Sequence, residues 1–222
     1  MFDPTYLIVF IGIPLVLGLG AQAWVKKAFA DGSKIQASSG LTGAQTSQRM
    51  LAASNIHDVS VEGISGRLSD HYDPRDKTMR LSEPVGQSTS VAAVAVAAHE
   101  TGHAIQDAQH ETGFRLRGAI VPAVGFASSA WFPVLLLGVF LNLGGLFLIG
   151  AILFGAIVVF QLVTLPVEFG ASAKAMRLLT SEGVIWQEQA PVARRVLTAA
   201  AMTYVVAALI SIMQFLYLLS RR

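Results

Sequence analysis

Three stretches of this chain contain no Asp, Glu, Lys or Arg: Pro4–Val25, Gly118–Val167 and Val196–Ser220. A run of more than about 18 predominantly apolar residues is long enough to cross a bilayer, where a helix satisfies its own backbone polar groups. The middle stretch has room for two spans of about 20 residues each, with "LNLGG" at Leu141–Gly145 as the turn between them. Four transmembrane helices therefore account for most of the chain. An apolar content of 53%, a charged content of 14% and a mean hydropathy of +0.57 exclude an ordinary soluble domain.

Charge order sets the expected topology. "AQA" at Ala21–Ala23 resembles a signal-peptidase site, but Asp3 precedes the first apolar run and Lys26 and Lys27 follow it. That is the charge order of an anchor whose C-terminal side is cytoplasmic. Arg115 and Arg117 before span two, and Arg194 and Arg195 before span four, lie on the same side. Arg221 and Arg222 pull the other way, because an even number of spans leaves them outside. The absence of cysteine removes disulfides, thiolate zinc sites and a cysteine nucleophile from consideration.

The polar segments are expected to form a small α+β portion. Thr42 is a candidate cap for a helix that turns Met50, Leu51 and Ala53 inward, and Val59 and Val61 alternate with polar neighbours as in a half-buried strand. "SDHYDPRDKTMRLS" has Asp73, Pro74 and Asp76 between two short extended stretches, a hairpin pattern. Within it, Thr78–Ser82 ("TMRLS") is either an ordinary structural strand or a strand edge for aligning an extended substrate. The valine and alanine run Val91–Ala98 begins a helix capped at Ser88 or Ser90. The expected organisation is a membrane anchor at 1–25 and a cytoplasmic region at 26–117, which carries a metal-binding helix at 88–109. A transmembrane hairpin at 118–167, a cytoplasmic helical segment at 168–195 broken near Ser181–Gly183, and a final transmembrane helix at 196–222 complete it.

That metal-binding helix carries the chemistry. His99-Glu100-Thr101-Gly102-His103 satisfies H-E-x-x-H, which puts two imidazoles on one helix face to bind zinc and an adjacent glutamate beside the water that zinc activates. Two histidines packed in a helical core would be the bland alternative, but unpaired polar groups are costly in so apolar a chain. A catalytic zinc needs a third protein ligand and one open position. His110 lies about two turns past His103 beside a helix end, whereas Glu168 is the first charge after the middle apolar stretch. A hairpin of spans two and three can return Glu168 to the two histidines.

"AVAAHETGHAIQDAQ", "LVTLPVEFGASAKAMRLL" and "LSDHYDPRDKTMRLSEPV" resemble the prokaryotic YugP-like family of membrane zinc metallopeptidases and, more distantly, the HtpX and CAAX-protease group. The resemblance runs from about Leu41 to the end of the chain. It implies His99, His103 and Glu168 as zinc ligands and Glu100 as the catalytic residue. The distant HtpX pattern has, four positions after the glutamate ligand, an aspartate that supports a ligand histidine. Ser172 stands there in this chain, so that support is altered or comes from another residue.

The expected fold is thus a mostly α-helical integral membrane protein with four transmembrane helices and a small α+β, zincin-like cytoplasmic portion. The expected function is that of a zinc-dependent membrane endopeptidase with one catalytic Zn2+, acting on a peptide or membrane-protein substrate near the cytoplasmic face of the lipid bilayer. Glu100 assists the zinc-bound water as a proton acceptor. His71, Tyr72 and Tyr204 are candidate oxyanion donors. The alternative is a non-catalytic membrane scaffold with a structural zinc, closed by a fourth ligand such as His71. A transporter lacks support because the apolar stretches hold no ionisable acid or base, and a nucleic-acid role lacks an aromatic and basic patch.

Overall fold

The computed structural model describes residues 4–66 and 68–221; Asp3 and Arg222, which entered the charge map, lie outside the described residues. In chain order the elements are α1 (Pro4–Leu7), a π-helical turn (Ile8–Gly12), α2 (Ile13–Gly32), α3 (Gly43–Ala53), β1 (Ser60–Ile64), β2 (His71–Asp73), β3 (Thr78–Ser82), α4 (Glu83–Gly86), α5 (Val91–Ala108), α6 (Thr112–Phe140), α7 (Gly144–Ser181), a 3-10 turn (Gln187–Gln189) and α8 (Ala190–Leu219). Among the described residues, four stretches are long and apolar enough to cross a membrane: Pro4–Gly32, Thr112–Phe140, Gly144–Ser181 and Gln187–Leu219. The protein is a mostly helical, multi-pass membrane protein with one small three-stranded sheet.

The chain separates into two compact units. One gathers Arg115–Pro166 with the N-terminal stretch through Gln22 and the C-terminal stretch from Met202. Its core is Leu135, Phe154, Val158 and Leu218, joined by Phe10, Trp131, Phe147 and Phe215. Gly138 and Gly150 let α6 and α7 approach so closely that a Cβ at either would overlap the neighbouring helix. Such small residues replace the hydrophobic driving force that lipid removes between membrane helices. Leu15, Val16, Phe126, Phe140, Ile152 and Leu209 are exposed, as expected of surfaces that face acyl chains rather than water.

The other unit comprises Ala23–Phe114 and Val167–Ala201. Its axis is α5, in which 14 of 18 residues are buried, so the helix is covered on every side rather than amphipathic. Val91, Ala92, Val94, Ala95 and Ala98 pack on Ala175, Leu179, Val184 and Leu197, while Ala97, Ala104 and Ile105 pack on Tyr72, Met79, Leu81 and Val85. Alanine predominates because neighbouring backbones come close; a Cβ at Gly32 would lie 3.0 Å from that of Ala92. Local signals agree with this packing. Ser90, the second of the two expected caps, accepts the Ala93 amide at 3.2 Å, and Thr42 and Gln45 form a reciprocal capping box at the start of α3.

The sheet corrects one expectation. Its order is β1-β3-β2, with β1 parallel and β2 antiparallel to β3. Thr78–Ser82 is therefore the central strand, hydrogen-bonded on both sides, and has no free edge for a substrate. The turn Asp73–Asp76 does make the expected β2–β3 hairpin, but β1 then takes up the other side of β3. Met79, fully buried on this strand, fills the space beneath α5 next to the Thr101 hydroxyl. Met79→Ala should destabilise the detergent-solubilised protein by about 2–5 kcal/mol in reversible denaturation, the range for emptying a core site. A loss below about 1 kcal/mol would show that the sheet does not support the helix in this way.

Candidate metal centre

His99 and His103 stand one turn apart on α5, on the same face, with ring centroids 4.8 Å apart. Glu168 of α7 meets both. Its Oε2 lies 3.2 Å from His99 Nε2 and 3.6 Å from His103 Nε2. One ligand atom from each of the three residues falls within 4.8 Å of the other two. Glu168 is only 1% exposed, and a carboxylate so far from water requires cationic or hydrogen-bonding compensation. Two imidazole nitrogens and one carboxylate oxygen form a donor set that fits zinc and leaves a coordination position open.

The approach of α5 to α7 rests on a missing side chain. A Cβ at Gly102 would lie 2.5 Å from the Ala171 carbonyl oxygen, so the two backbones touch one residue before His103. The far nitrogen of each imidazole is also held. Ser172 Oγ lies 3.1 Å from His99 Nδ1, and Gln106 Oε1 lies 3.0 Å from His103 Nδ1. Both Nε2 atoms are thereby directed at Glu168, which is how partners of ligand histidines orient the rings. Ser172 comes one turn after Glu168 on α7, so one helix contributes a carboxylate and the support for a histidine.

Glu100 is buried beside this group, and its Oε2 accepts the Tyr72 amide of β2 at 3.1 Å. Burial pushes its carboxyl up to about 7; Glu168 and Asp70 act in the same direction, while His99 and the Tyr72 amide oppose it. A carboxyl poised there can exchange a proton near neutral pH.

Among the other candidates, neither His110 nor His71 joins the three ligand residues. His110 is exposed, beyond the end of α5, in a left-handed conformation at φ 52°, and it is not part of the group. His71 sits on β2 with Nδ1 2.8 Å from the Ser69 carbonyl oxygen, and it too is outside the group. Tyr72 donates its hydroxyl to Asp107 Oδ2 at 2.8 Å; burial, then this bond, raises its pKa. That hydroxyl ties β2 to α5. Tyr204 belongs to α8 and to the other compact unit.

A family model described as "Putative neutral zinc metallopeptidase" matches residues 6–222. The chain belongs to this family. It is 48% identical over 213 residues to "Putative membrane protease YugP" of Bacillus subtilis (strain 168), a match that covers 95% of this chain and 94% of that protein. No solved structure gives a significant match. The family description agrees with zinc as the ion suited to the His99, His103 and Glu168 donors.

Sequence reasoning missed two residues of the centre. Gln106 had a readable signal, since it stands three positions after His103 and seven after His99, on the same helix face. Gly102 had none, because its role appears only once Ala171 is placed against it. Gly102→Ala should force the helices apart. The expected result is a zinc affinity at least about tenfold weaker, together with a lower melting temperature, measured by competition with a chelating dye and by thermal unfolding. Unchanged zinc affinity would show that the Gly102 contact does not position the ligands.

Proposed function

We propose that this protein is a zinc-dependent membrane endopeptidase that hydrolyses peptide bonds close to the cytoplasmic membrane face. The observation that carries the proposal is the convergence of His99, His103 and Glu168 within 4.8 Å, with the buried Glu100 next to His99 on the same helix. His99, His103 and Glu168 would hold the ion, and zinc so bound supplies a Lewis acid and a water of lowered pKa. Glu100 takes a proton from the attacking water and returns it to the departing amine. Its burial keeps bulk water from levelling its basicity, and the Tyr72 amide holds the carboxylate in place until the reaction.

Two features support an enzyme over a structural zinc. No fourth His, Cys, Asp or Glu joins the group among the described residues, so a site for water stays open. The relative from Bacillus subtilis carries the description of a protease. The cytoplasmic assignment is supported by Lys26, Lys27, Arg115, Arg117, Arg194 and Arg195 beside the spans. Glu168 is the first charge after a long apolar run on its own helix, which supports hydrolysis near the membrane surface of a peptide or membrane-protein substrate.

Paired variants separate the roles. Glu168→Gln and His99→Ala should each lose tight zinc binding while the spans still insert, because apolar burial in the spans does not depend on the ion. Glu100→Gln should bind zinc nearly as well as the wild type and cleave an accessible peptide at least about a hundredfold more slowly. Wild-type turnover in zinc-loaded Glu100→Gln would remove Glu100 from the mechanism.

The pH profile gives a further check. A general base works only when deprotonated, so kcat/KM should fall on the acid side as Glu100 takes up its proton. With the carboxyl at about 7 before a cation is present, a bound dication draws this limb to lower pH. The limb should disappear from the residual activity of Glu100→Gln; its persistence there would assign it to another group.

A further inference from the structure

Gln106 lies in the last turns of α5, is 1% exposed, and bridges two helices. Its Nε2 donates to the Val167 carbonyl of α7 at 2.9 Å, and its Oε1 faces His103 Nδ1 at 3.0 Å. These two contacts leave no freedom of assignment. A backbone carbonyl can only accept, so the amide nitrogen must face Val167 and the amide oxygen must face His103. An amide oxygen also only accepts, so the proton of a neutral His103 belongs on Nδ1 and the lone pair on Nε2. Nε2 is the atom that faces Glu168. The position is built to admit this amide, because a Cβ at Gly170 would come within 2.9 Å of Gln106 Nε2.

We propose that Gln106 is a positioning residue that fixes the tautomer and ring orientation of His103 by relaying the acceptor character of the Val167 carbonyl. Val167 immediately precedes Glu168, so α7 both contributes one ligand and sets the protonation pattern of another. The two helices thus form a metal-ready centre only when docked together. This inference rests on the zinc reading above.

The test is a zinc competition titration on the full-length, detergent-solubilised chain. Gln106→Met keeps the length of the side chain and removes both hydrogen bonds; its zinc affinity should fall by roughly 10- to 100-fold, the range for losing a partner of a ligand histidine. Gly170→Ala crowds the amide without touching a ligand and should weaken binding in the same direction, so it carries the test if Gln106→Met does not fold. The cobalt(II)-loaded Gln106→Met protein should show an altered ligand-field spectrum. Equal zinc affinity in Gln106→Met and wild type would overturn the inference, as would a weakened Gln106→Met protein whose cobalt(II) spectrum matches the wild type, since packing alone would then explain the loss. Failure of the wild type itself to bind zinc would instead overturn the metal-site reading beneath it.

Discussion

The contact of α5 with α7 at Gly102 and Ala171 is the constraint on which the candidate metal centre depends. It brings a nearly inaccessible carboxylate against two imidazoles of another helix, an arrangement that would be costly if any member were left without a partner. Ser172 and Gln106 occupy the outer nitrogens, and Lys174 and Glu111 form an ion pair at 2.5 Å that ties α7 to the turn after α5. The same apolar packing that buries α5 buries Glu168, His103 and Gln106, and burial raises the stakes of each polar contact among them.

The two carboxylates near the centre have different surroundings. Glu168 lies between His99 and His103, whose Nε2 atoms both face its Oε2. Glu100 looks toward the sheet, has one backbone amide as its partner, and is held near neutrality by burial. Such a division of surroundings supports the separate roles proposed for Glu168 and Glu100. The edge strand β2 serves this division: its Tyr72 amide reaches Glu100 while its Tyr72 hydroxyl is anchored on Asp107, one turn beyond His103.

Much of this molecule is written in local pattern. The four spans follow from uncharged length, the start of α5 from Ser90 and the Val-Ala run that follows, and the His99–His103 face from the helical repeat. Glu168 was legible because a single acid at the end of a long apolar run is conspicuous. These signals survive without tertiary knowledge because each depends on the covalent period of the chain or on transfer out of water.

Tertiary structure decided what depends on a partner distant in sequence. The position of Thr78–Ser82 at the centre of the sheet came from the parallel pairing with β1, which no hairpin pattern announces. Tyr72 was a free candidate until Asp107 was placed opposite its hydroxyl, and Ser172 was an unassigned departure until its Oγ met His99 Nδ1. Sequence by itself determined that this chain spans a membrane and carries two imidazoles and a glutamate on one short helical segment. Only the docking of α5 on α7 determined how closely Glu168 meets them and which nitrogen each imidazole presents, because those choices depend on contacts between residues some 60 to 70 positions apart.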